Sequence, residues 1–106
     1  MTGAPVELRR AVEAKVRAWT ADPPMADSVD IGDGVVKLSF GAFGTGRLVL
    51  FAQKLFWWWT CVAWVYSPHG DFTIPVGALG VRFIEAWRAK YEGEAARRAA
   101  AQVGSL

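Results

Sequence analysis

Apolar positions along this chain follow two different periods, and the changes between them mark the element boundaries. Between Val6 and Trp19 the residues Leu8, Val12, Val16 and Trp19 recur at helical spacing, while Glu7, Arg9, Arg10, Glu13 and Arg17 fall largely elsewhere. An apolar stripe of that period opposite charged positions predicts an amphipathic helix. Pro5 suits its first turn, where a missing N–H is harmless, and Pro23 and Pro24 cannot continue it, so it should end near Ala21.

From Asp27 the period becomes two. SVDI, GDG and VVKLSF read as strand, tight turn and strand, and the Asp33-Gly34 pair favours a hairpin because glycine accepts a positive φ. A loop, GAFGTG at 41–46, precedes the strand RLVLFA, and LFWWWTCVAWVY at 55–66 follows, rich in aromatic and β-branched residues. The join at Gln53 and Lys54 lacks glycine or proline, so a hairpin and one long bent strand with a bulge both remain open there. SPHGD at 67–71 is a turn by composition, and FTIP is a short extended piece.

Helical spacing then returns. Leu79, Phe83, Ile84, Trp87 and Tyr91 mark one face of a second helix, with Arg82, Glu85, Arg88 and Glu92 outside it; Gly77 and Gly80 weaken only its start. From Gly93 the alanine-rich EAARRAAAQVGSL has little to bury and predicts a fraying helical tail. The order helix, three to four antiparallel strands, helix predicts a two-layer α+β domain with both helices on one sheet face. A single domain is expected over residues 1–106, compact from about 5 to 92, with no internal repeat.

The run at 55–66 raises the main question. Alternation splits it into Leu55, Trp57, Trp59, Cys61, Ala63, Val65 and Phe56, Trp58, Thr60, Val62, Trp64, Tyr66, and both sets are apolar. That is the mark of a strand buried on both sides, yet a two-layer domain covers only one. The set with Cys61 and Ala63 is assigned to the helix-covered core, since small residues leave room for helices. The mixed face then presents Trp58, Trp64 and Tyr66 beside Lys37, Arg47 and Gln53. Such a face is covered either by Pro23–Ile31, the 41–46 loop or the C-terminal tail folding back, or by another chain.

Composition narrows the function classes. A chain of 106 residues buries roughly 65% of its unfolded surface, and 53% hydrophobic with 21% charged residues belongs to a folded protein. The outlier is six tryptophans. A net charge of +2 is a weak argument for nucleic acid. One cysteine permits no intramolecular disulfide and no multi-cysteine zinc site, and a reducing cytoplasm fits best. No export signal is read in MTGAPVELRRAVEAK. Leu48–Tyr66 is nearly long enough to span a bilayer, but Gln53 and Lys54 lie inside it, so no membrane partner is expected.

Candidate chemistry is thin. Cys61, His69 and Asp71 are the residue types of a thiol triad, but a reactive cysteine needs an electropositive, partly exposed setting and Cys61 sits among tryptophans. Asp27, Asp30 and Asp33 lack the spacing and closing glutamate of a calcium loop. GAFGTG runs from strand to strand rather than into a helix, as a phosphate cradle would, and GALG at 77–80 carries little information alone. No catalytic residue, cofactor or metal is expected. The leading expectation is a small non-catalytic protein-binding module, an adaptor, subunit or inhibitor or regulator of a larger machine. Its partner would be another chain or a second copy, with Trp58, Trp64 and Tyr66 as anchors and Arg47 and Lys37 as rim, because tryptophan, tyrosine and arginine dominate interface hot spots. The alternative is single-stranded nucleic-acid binding by base stacking on the same face.

Overall fold

The computed structural model describes the backbone at residues 4–43 and 46–104 and the side chains outside 1–3, 42–45 and 93–106. Seven elements follow in order: α1 (Val6–Ala21), β1 (Ser28–Gly32), β2 (Val35–Phe43), β3 (Gly46–Leu55), β4 (Trp58–Ser67), β5 (Gly70–Pro75) and α2 (Gly77–Gly104). The strands form one antiparallel meander, β1-β2-β3-β4-β5. The α+β class is as expected, but the sheet has five strands rather than three to four. The additional strand is FTIP with its preceding turn residues, which pair with β4 from Ser67↔Gly70 to Val62↔Pro75. Gly70 and Asp71 carry turn chemistry and Pro75 cannot donate to a ladder, so only FTIP read as extended and no full strand was legible there.

The hairpin between β3 and β4 settles the second open point. β3 runs straight through Gln53 and Lys54, and the turn falls at Phe56 and Trp57, closed by the pair Leu55↔Trp58. Phe56 adopts φ 58, a left-handed conformation that ordinarily selects glycine, so the sequence carries no turn signal there. At Asp33-Gly34 the expected signal is present, and Gly34 takes φ 73.

Both helices pack on one face of the sheet. Val36, Leu38 and Phe40 of β2, Leu48, Leu50 and Ala52 of β3, Cys61, Ala63 and Val65 of β4 and Ile74 of β5 are buried there against Val12 and Val16 of α1 and Phe83, Ile84 and Trp87 of α2. Trp19 reaches over Phe40 with 4.7 Å between ring centroids, and Phe83 lies 5.8 Å from Phe40. A Cβ on Gly80 would sit 2.5 Å from Cys61 Sγ, so a residue without a side chain lets α2 approach β4.

The diproline connection is fastened to α2. Tyr91 OH and Lys90 Nζ donate to Pro23 O at 2.8 and 2.9 Å, and Trp87 Nε1 donates to Pro24 O at 3.1 Å. Residues 28–32 then form the edge strand β1. Among the described residues no helix is long and apolar enough to cross a membrane, and the apolar stretch 48–66 is two antiparallel strands.

Candidate functional site

The second face of the sheet carries no described helix. Register places its residues in rows across the strands: Arg47 beside Tyr66, Ser39 beside Val49 and Trp64, Lys37 beside Phe51 and Val62, Val35 beside Gln53 and Thr60, and Leu55 beside Trp58. All five residues expected at a partner-binding face, Trp58, Trp64, Tyr66, Arg47 and Lys37, lie on this one surface. The diproline segment does not cover it, since its carbonyls face α2. The loop at 41–46 contains residues outside the described set, as do the side chains of the tail from 93.

The five residues differ in how free they are. Trp64 is half-buried at the centre, stacked on Phe51 with centroids 4.9 Å apart and planes at 19°. Lys37 Nζ lies 5.9 Å from the Trp64 ring centroid, within reach of a cation–π attraction. Arg47 is committed within the fold, with Nη1 donating to Ser39 Oγ at 2.7 Å and pairing with Asp27 at 3.4 Å. Tyr66 and Trp58 remain open, at 42% and 51% exposure.

Residues missed from the sequence are as informative. Phe51 completes the central stack, and Val49 is buried on a face that no described helix covers, shielded by neighbours on the same face. Phe51 could have been found by cross-strand pairing once the turn position was known. The larger omission is the hairpin tip. Phe56 and Trp57 are 93% and 88% exposed, more than any other large apolar residue described. Alternation had placed both inside a strand, which a turn at 56–57 removes.

Catalytic constellations do not assemble. Cys61 is buried on the core side of β4, while His69 and Asp71 are exposed at its far end, about 20 Å away by strand rise. Burial pushes the Cys61 thiol up to about 12, which keeps it neutral. His69 uses its backbone N–H on Ser67 Oγ within the turn. Asp27 faces Arg47, and among the described residues no cluster of three potential metal ligands occurs. Comparison with protein-family models, curated proteins and solved structures returned no match.

Proposed function

We propose that this chain is a non-catalytic protein-binding module, an adaptor, subunit or regulator of a larger assembly, whose contact surface is the helix-free face of the sheet. The observation that carries it is the preformed aromatic centre: Phe51 and Trp64 stacked in mid-sheet, with Tyr66 and Trp58 exposed on the same surface. Rigid aromatics held by cross-strand packing lose little entropy on contact, and a polar fringe of Lys37, Gln53 and Thr73 matches the usual rim around an apolar interface core. The face is broad enough: five strands at about 4.8 Å spacing give about 24 Å of width, near the dimension of a standard interface patch.

Base stacking on this face is the weaker reading. Phe51 packs on the Trp64 ring and Lys37 lies close to it, and Arg47 is spent on Ser39 and Asp27, so the central ring and one of the two rim cations are already engaged. A photo-reactive phenylalanine analogue at Tyr66, compared with one at exposed Arg10 on α1, tests the proposal in cells. A distinct second protein cross-linked from position 66 and absent from position 10 supports it. The same products from both positions, or quenching of tryptophan emission by a single-stranded oligonucleotide that weakens with salt, removes it.

A further inference from the structure

The β3–β4 hairpin ends in an apolar projection that nothing else in the described chain covers. Lys54 N–H donates to Gly34 O at 2.8 Å, which sets the Asp33-Gly34 turn level with Lys54. Leu55 and Trp58 then close the ladder one step further out, and Phe56 and Trp57 make the turn. The tip stands two residues past Lys54, about 7 Å by strand rise. Exposures of 93% and 88% leave Phe56 and Trp57 almost entirely in solvent, with Trp58 and Leu55 partly open beneath them.

A polar collar surrounds the base of this projection. Gln53, Lys54 and Asp33 are exposed there, and Arg82 and Glu85 of α2 border the groove beside Trp58. Asp33 and Glu85 balance Lys54 and Arg82, so the collar carries no net charge. Phe56 holds φ 58 in the turn, a strained conformation for a bulky residue that nothing in the packing of this chain requires.

We propose that this tip is a reversible anchor on a lipid surface. Leu55, Phe56, Trp57 and Trp58 enter the boundary between headgroups and acyl chains, the strands stand on end, and the collar stays among the headgroups. The contact is with the surface only, so Gln53 and Lys54, which argue against a spanning segment, become part of the collar.

Four observations select a bilayer over a protein. The tip exposes about 500 Å² of apolar surface, short of the roughly 800 Å² per partner of a standard protein interface, and a bilayer needs no matching pocket. Its height of about 7 Å falls within the roughly 5–10 Å to which interfacial apolar groups penetrate. Two of its four side chains are indoles, which favour this boundary because the ring is apolar while the N–H can reach water or headgroup oxygens. The hairpin ladder is also closed up to Leu55 and Trp58, so only the turn peptides need solvating by headgroups. Lipid contact offsets the strain at Phe56, which the fold itself does not. The anchor is independent of the sheet-face reading, since the face around Phe51 and Trp64 stands upright above the bilayer and stays open.

Flotation of the full chain with phosphatidylcholine vesicles, read together with tryptophan emission, tests this. The expected result is co-flotation, a shift of the emission to shorter wavelength, and quenching by phosphatidylcholine brominated near the glycerol end of its chains. Because the collar is neutral, about 0.5 M salt should change the bound fraction less than about twofold. Trp57→Ser should lower the partition coefficient at least about tenfold with circular dichroism unchanged, since it removes an indole that touches little else in the fold. Phe56→Gly, which relaxes the turn, should lower it by a similar factor and carries the test if the first variant misfolds. A chain that ignores the vesicles overturns the proposal, including one in which a photo-reactive phenylalanine analogue at position 57 captures another protein. Binding confined to anionic vesicles and released by salt overturns it equally, since that assigns the contact to Arg9, Arg10 and Arg17 of α1. Vesicle binding that both tip variants leave unchanged does the same.

Discussion

Cys61 shows how one position can have its chemistry set by packing. Its side chain lies under Gly80 with 2% exposure, and burial raises the thiol from 9.0 to about 12. Because the folded-state value is raised, the stabilisation is complete below the unfolded value and is lost as pH rises toward the folded one. Relative to Cys61→Ala, the native chain should lose on the order of 1 kcal/mol of unfolding free energy per pH unit above about 9, measured by urea titration. A thiol reagent should likewise leave the folded chain unmodified. Gly80→Ala should cost about 1–3 kcal/mol, since its methyl would meet Cys61 Sγ at 2.5 Å and the side chain of Val76 at 2.6 Å. A smaller loss would mean that α2 shifts outward freely.

Among the elements, the β3–β4 hairpin has the most unusual chemistry. Its turn places an aromatic residue where glycine is favoured, and with 93% of Phe56 in solvent the side chain contributes little packing. Phe56→Gly should therefore stabilise the monomer by about 0.5 kcal/mol, the relief of left-handed strain outweighing the added freedom of the unfolded chain. Chemical denaturation under dilute conditions measures this, and a clear loss of stability would show that Phe56 packs against the fold. β4 itself divides by parity: Cys61, Ala63 and Val65 serve the core, while Thr60, Val62, Trp64 and Tyr66 serve the other face.

At the scale of the whole molecule, two helices cover one side of a five-stranded sheet and leave the other with a stacked aromatic pair. Trp64→Ala should leave a folded monomer, weakened by about 1–2 kcal/mol through loss of the Phe51 stack. Affinity for the partner found by cross-linking should fall by about 2 kcal/mol or more if Trp64 is an interface anchor. Unfolding of the variant would instead assign Trp64 to a core that the monomer needs. The Arg47–Asp27 pair, half exposed on both sides, should contribute under about 1 kcal/mol to either property.

Local pattern was enough for much of this. The stripe Leu8, Val12, Val16, Trp19 and the flanking prolines determined α1 to within the observed bounds, because helical period and proline chemistry act over a few residues. Alternation likewise placed Cys61 and Ala63 on one side and Trp58, Trp64 and Tyr66 on the other, because side-chain direction in a strand has a fixed period of two. The turn at Phe56-Trp57 was not legible, since its conformation is imposed by the pairing of β3 with β4 against the preference of the residues themselves. Nor was the role of Gly70–Pro75, which becomes a strand only by finding β4 beside it. The engagement of Arg47, the Phe51–Trp64 stack and the exposed tip at Phe56 and Trp57 all depend on which strands are neighbours and where each stops, and those are decided by contacts between segments distant in sequence.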